Sequence, residues 1–200
     1  MQALPKRGTN GKSSFADQAL EPFLQSPIHL PNDFNDRDPQ GCDRVGIFID
    51  GSNLFYAALN IGIEIDYAKL LCKLTGHRRL LRAYFYTGID PNNERQQGFL
   101  LWMRRNGYRV VTKELIQFPD GSKKANLDVE IAVDMMTLAH HCDTMVLLSG
   151  DGDLAYVVNA ITYLGTQVEV VSLPSMTSES LINVADRYTD LSSLRQDIQK

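Results

Sequence analysis

The sequence predicts an α/β fold, a three-layer α/β/α arrangement around a mostly parallel five-stranded sheet. Three observations lead there. From Arg44 onward short β-rich runs alternate with helical stretches, which is the signature of a parallel sheet covered on both faces. At 200 residues, 44% hydrophobic and 22% charged, the chain has the composition of a soluble globular protein with one well-buried core. Glycines stand just past two helical stretches, at Gly107 and Gly165, where the last carbonyls of a helix need closing.

Taken in order, residues 1–43 read as a flexible leader, because five of the eight prolines fall there amid Gly, Ser, Asn and Asp. Within it, 15–24 (FADQALEPFL) is apolar enough for a short docking helix. The main domain, 44–190, has candidate strands over 45–49, 81–86, 108–113, 144–148 and 168–172. Helices are expected over 53–59, 67–73, 93–106, 127–141 and 154–164. Leu100, Leu101 and Met103 supply one apolar face, and Ile131, Met135 and Leu138 another. The stretch 114–124 (ELIQFPDGSKK) is too polar for a core layer, and Pro119, Asp120 and Gly121 mark an exposed hairpin or loop bordering a site. Residues 180–185 and 191–198 read as terminal helices, with 191–200 forming a C-terminal helix or tail.

Composition excludes several classes of function. The longest apolar runs are far shorter than the roughly 20 residues of a membrane-spanning helix, so no membrane association is expected. Polar residues follow Lys6 and Arg7 where a signal peptide needs an apolar stretch, and the expected location is cytoplasmic. Cys42, Cys72 and Cys142 form neither an even disulfide framework nor a close-spaced zinc pattern. A net charge of -4 argues against a surface that grips nucleic acid everywhere, and leaves a local basic groove open.

In an open α/β sheet, ligands bind beyond the carboxyl ends of the strands, where strand order reverses. The first strand ends in Asp50-Gly51-Ser52-Asn53 and the fourth in Ser149-Gly150-Asp151-Gly152-Asp153, each with glycine expected to relax the turn before a helix. If these strands are neighbours at the reversal, three carboxylates meet in one cleft. Asp128, in the first turn of the helix leading to the fourth strand, supplies another. Clustered carboxylates repel, and divalent cations are the usual remedy. An all-oxygen set, with Asn53 or water completing it and Ser52 and Ser149 nearby, suits Mg²⁺ or Mn²⁺ rather than zinc.

These residues also carry a family resemblance. RVGIFIDGSNLF (44–55), KKANLDVEIAVDM (123–135) and VLLSGDGDLAYVV (146–158) resemble, in order and context, the motifs of the NYN domain family, LabA-like branch, within the PIN-like nucleases. The resemblance spans 44–190. It implies a PIN-like fold, a divalent metal centre and RNA as substrate, with metal and catalytic roles for Asp50, Asp128, Asp151 and Asp153 and support from Asn53. The implied activity is metal-dependent endoribonuclease; the alternative is a catalytically weak or inactive RNA- or protein-binding regulator of gene expression. In the latter case the leader and C-terminal segment are natural contact surfaces for a protein partner; self-association is left open.

Other signals have plainer readings beside the functional one. Asp153 also suits a helix cap. Asp134 lies six residues past Asp128, off its face, and a solvent-facing or supporting role stands equal to metal binding. Lys113, Lys123, Lys124, Arg104 and Arg105 are candidate phosphate contacts or simply solvated charge. His140, His141 and Cys142 point in different directions on a helix and suit a helix end better than a metal. The aromatic set Phe55, Tyr56, Tyr84, Phe85, Tyr86 and Trp102 reads mainly as core. Late acidic motifs like 150–153 occur in haloacid-dehalogenase-like phosphatases, but residues 48–52 lack the paired aspartates those enzymes need. Asp50-Gly51-Ser52 likewise begins like a metal-dependent adhesion site, but Leu54 stands where that site needs a second serine.

Overall fold

A computed structural model describes residues 43–90, 92–117, 119 and 123–200. The leader before Asp43, with the helix expected over 15–24, lies outside the described residues. The chain runs β1 (Arg44–Asp50), α1 (Gly51–Ile61), α2 (Tyr67–Thr75), β2 (Arg79–Ile89), α3 (Glu94–Arg105) and β3 (Tyr108–Glu114). A small hairpin follows, β4 (Ile116–Gln117) with β5 (Lys123–Lys124), then α4 (Asp128–Leu138), β6 (Thr144–Leu148) and α5 (Ala155–Tyr163). The chain closes with β7 (Gln167–Ser172), α6 (Glu179–Val184), β8 (Arg187–Asp190) and α7 (Arg195–Ile198).

The main sheet has strand order β3-β2-β1-β6-β7-β8, and every neighbouring pair is parallel. The three-layer α/β/α class is as expected, with six strands rather than five. β8 escaped the sequence reading because Arg187-Tyr188-Thr189-Asp190 is short, polar and at the sheet edge, with no apolar run to mark it. Strand order reverses between β1 and β6, so the crevice lies at the carboxyl ends of these two strands.

Both central strands are apolar on both faces because helices cover both. Val45, Ile47 and Ile49 of β1, with Val146 and Leu148 of β6, enter one core beneath α1, α2 and α3. Phe48, Met145 and Leu147 point the other way, to Ile131 and Met135 of α4 and Val157, Val158 and Ile161 of α5. Of the aromatic set, Tyr84, Phe85, Tyr86 and Trp102 are buried, but Phe55 and Tyr56 face solvent on α1, whose inward face is supplied by Leu54, Ala57 and Ala58. Gly107 and Gly165 adopt left-handed φ of 90° and 89°, the conformation that ends a helix. Leu191 and Ile198 are fully buried, which pins the C-terminal segment against α2. Among the described residues no helix is long and apolar enough to cross a membrane.

Candidate metal centre

Asp50 is the last residue of β1 and the cap of α1. Its Oδ1 accepts from the backbone N–H of Ser52 at 3.0 Å and of Asn53 at 3.1 Å, closing the first turn. β1 and β6 run in register with Ile49 opposite Leu148, so the residues that follow, Asp50 and Ser149, meet. The Ser149 hydroxyl donates to Asp50 Oδ2 at 3.3 Å and accepts from the Asp151 N–H at 3.2 Å. One serine thereby ties the ends of both strands together. Asp151 Oδ1 in turn accepts from the Asp153 N–H at 3.0 Å, starting the 3-10 turn Gly152–Leu154 ahead of α5. Asp153 is not itself the cap of that turn; Asp151 is.

Asp128 arrives from the other side of the crevice at the start of α4. Its helix is begun by Asn126, which accepts from the Asp128 N–H at 2.9 Å and donates to the Asp128 carboxylate at 2.6 Å. Buried Leu127 anchors this entry from below. The oxygens of Asp128, Asp151 and Asp153 lie within 4.8 Å of one another, and among the described residues no other group of three or more ligand-type side chains converges in this way. Asp50 sits beside them rather than in that triad.

Electrostatics binds the four together. Burial pushes the Asp50 carboxyl above its usual range, the hydrogen bonds from Asn53, Ser52 and Ser149 oppose it, and the charge of Asp151 adds to the rise. Asp128 is also raised, first by burial, then by the charge of Asp151, with Asp50 and Asp153 contributing and the bond from Asn126 opposing. Burial and neighbouring charge thus work against ionised Asp50 and Asp128, a conflict that a divalent cation would relieve. The donor set is all oxygen. Asp128 and Asp151 each commit one oxygen to fixing the side chain and leave the other for an ion, a set that fits Mg²⁺ or Mn²⁺.

The other sequence candidates separate. Asn53 borders the centre, where its Oδ1 accepts from Ser172 Oγ at 3.3 Å; Ser52 contributes its N–H to Asp50 while its side chain is exposed. Lys113 is engaged by Glu130 at 2.8 Å and the Asn126 carbonyl at 2.9 Å, bracing the entry to α4. Lys124 is exposed on the hairpin that leads into α4, where Lys123 pairs with Gln117. Arg104 and Arg105 end α3 just before β3 begins, at the amino-terminal end of the strands, opposite the carboxylates. His140 and His141 lie in a 3-10 turn before β6, also at that far end.

Two participants carry no reading from the sequence, and the role of a third, Asp134, is decided only by the fold. Asn126 was passed over as a residue preceding Asp128, although an Asx side chain two residues before a helix start is a recognisable capping signal. Ser172 is fully buried at the end of β7, and its place at a strand end beside the reversal could have marked it. Asp134 accepts from the buried Tyr86 hydroxyl at 3.0 Å, a contact across layers that no spacing reveals. This fixes α4 to the strand neighbouring Asp50, since Tyr86 is the β2 partner of Asp50 in the sheet register.

The raised carboxyls predict how stability depends on pH and metal. Because folded Asp50 and Asp128 hold protons more tightly than the unfolded chain does, metal-free stability falls as pH rises from the ordinary carboxylate range through their raised values. An ion removes that conflict and competes with those protons. Thermal unfolding at pH 7.5 in Mn²⁺ at about 100 times its dissociation constant is therefore expected to gain about 2.7 kcal/mol, a rise of about 5–10 °C. The gain shrinks as the pH is lowered through the raised carboxyl values, and a gain independent of pH would disagree with a carboxylate site.

Comparison with known proteins gives three results. The NYN domain family matches residues 44–192. The low amplitude and bright protein LabA of Synechococcus elongatus is 39% identical over 166 residues, which is 78% of this chain and 88% of that protein. A crystal structure of a protein of unknown function from Vibrio parahaemolyticus aligns with a TM-score of 0.69 at 28% identity, over 80% of this chain and 98% of that one.

Proposed function

The chain belongs to the NYN domain family, in its LabA-like branch, and from that premise we propose that it is a metal-dependent ribonuclease that cuts RNA internally at the centre formed by Asp50, Asp128, Asp151 and Asp153. The observation that carries this reading is the convergence of the Asp128, Asp151 and Asp153 oxygens within 4.8 Å, with Asp50 coupled to them. An ion held there supplies Lewis acidity toward a phosphodiester, activating water and neutralising the charge that builds in the transition state. The protein's own part is positioning. Ser149 fixes Asp50 and Asp151 relative to each other, Asn126 fixes Asp128, and Tyr86 with Lys113 holds α4 in place behind it. Burial raises the Asp50 carboxyl above its usual range and so makes it a stronger base than an exposed carboxylate, which suits it to take a proton from the attacking water. Lys123 and Lys124, on the hairpin beside α4, are the candidate contacts to the RNA backbone.

The test is cleavage of an end-labelled, unstructured RNA by the purified chain with Mn²⁺ or Mg²⁺, and with a chelator. Internal products that appear only with the ion are expected. Tight RNA and metal binding without products across varied sequences would instead favour the regulator, which uses the same cleft without turnover.

A further inference from the structure

Helices α4 and α5 lie side by side on one face of the sheet, and both run from the acidic centre toward the opposite edge. α4 starts at Asp128 and leads to the start of β6, while α5 follows Asp153 and leads to the start of β7. Their inward faces fill the core through Ile131, Met135, Val157, Val158 and Ile161. Their outward faces are apolar as well. Val129 is 69% exposed, Val133 58% and Met136 40%, at the spacing of one α-helical stripe. Beside them Tyr156 is 86% exposed, Tyr163 83%, and Leu164, which closes α5, 46%. The helix between, AYVVNAITY, contains no charged residue. A surface helix of a monomer ordinarily carries a polar outer face, and a contiguous exposed apolar one marks an interaction surface.

We propose that this two-helix face is the dimer interface between two copies of the chain. Two features select a second copy as the occupant. The six side chains present on the order of 800 Å² of accessible surface, the share that each partner contributes to an interface of standard size. α5 carries no charged residue, and the two acids that lie between the stripe positions of α4, Glu130 and Asp134, are half-buried and engaged by Lys113 and Tyr86, so on a chain of net charge -4 two identical molecules can approach there without setting these charges against each other, as an isologous interface requires. Its content of tyrosine and methionine with no lysine or glutamate in the stripe is the composition of an interface centre. Because both helices begin at the metal centre, such a dimer would hold the helix that carries Asp128 and the one that follows Asp153 from outside.

The test uses the full chain without metal or RNA. Sedimentation velocity over a range from about 0.1 to 100 µM is expected to give a dimer that dissociates on dilution. Tyr163→Glu and Val133→Glu should each weaken it by about 30-fold or more, the loss expected for an interface anchor, while thermal unfolding measured under conditions where the chain is monomeric stays near wild type. Hydroxyl-radical footprinting should find Met136, Tyr156 and Tyr163 protected at high concentration and reactive at low. A chain that remains monomeric at 100 µM overturns the proposal, as does a dimer whose Tyr156 and Tyr163 stay reactive. Protection that appears only when RNA is added also overturns it, and assigns the face to RNA instead.

Discussion

Asp50→Asn is expected to lower Mn²⁺-dependent RNA cleavage by on the order of 1,000-fold while leaving the fold intact. The size follows from the several kcal/mol that a metal centre contributes to phosphodiester cleavage, at 1.36 kcal/mol per factor of ten. The selectivity follows from what asparagine keeps. Its side-chain oxygen still accepts from the N–H groups of Ser52 and Asn53, so the cap of α1 survives. What it loses is the charge and the proton-accepting oxygen that faces Ser149. Since burial and the charge of Asp151 both work against ionised Asp50, its removal should leave metal-free thermal stability unchanged or higher. Loss of activity together with loss of stability would point to structural damage, and undiminished cleavage by a rigorously purified variant would reject the assigned role of Asp50.

The largest structural effect is expected from Gly150→Ala. A methyl group at Gly150 would stand 2.1 Å from the Met176 carbonyl oxygen and 2.8 Å from its carbon, and backbone there cannot swing aside as a side chain can. The same loop is tied in from the other direction, because the Ser178 N–H donates to the Gly150 carbonyl at 2.9 Å. Either the 3-10 turn Pro174–Met176 lifts away or the Asp151 loop shifts, at a cost of about 3 kcal/mol by the usual scale for overpacking. In a domain of this size that lowers Tm by about 6–12 °C, and displacement of Asp151 should weaken Mn²⁺ binding as well. Gly152→Ala is the comparison: its methyl group meets the Ser178 hydroxyl oxygen at 2.8 Å, which can rotate away, and Ser178 Cβ at 3.0 Å, which needs only a small shift, so a smaller loss is expected. Calorimetry of both variants, with and without Mn²⁺, separates the two.

Those glycines illustrate what sequence conveys and what it leaves out. Asp50, Asp151 and Asp153 stood out as candidates because strand ends at a reversal of strand order are where an α/β sheet binds ligands and the apolar runs of β1 and β6 are unmistakable, whereas Asp128 stood out as an acid in the first turn of the helix leading to β6. The need for Gly51 and Gly150 was visible too, but its cause was not. Neither has a left-handed φ; each is small because another strand or loop presses on it, the Tyr86 carbonyl oxygen lying 2.7 Å from where a methyl group on Gly51 would stand. Contacts between layers have no local signature. The Tyr86 bond to Asp134, the Ser172 bond to Asn53 and the engagement of Lys113 by Glu130 all join residues far apart in the chain. Exposure is hidden in the same way where both faces of a helix are apolar: α4 and α5 read as core elements, and Val133 and Tyr163 differ from Ile131 and Ile161 only in which side of the layer they occupy. β8 has the opposite problem, a strand made by pairing rather than by its own residues.

Whether the four aspartates hold a catalytic divalent ion is decided by crystals soaked in Mn²⁺, through the anomalous signal of the metal. A manganese peak is expected in the crevice between β1 and β6, bonded to carboxylate oxygens of Asp128 and Asp151, with Asp50 and Asp153 in contact with the ion or its waters. Density for manganese elsewhere with none in this crevice, or an empty crevice whose carboxylates have moved apart, would contradict it.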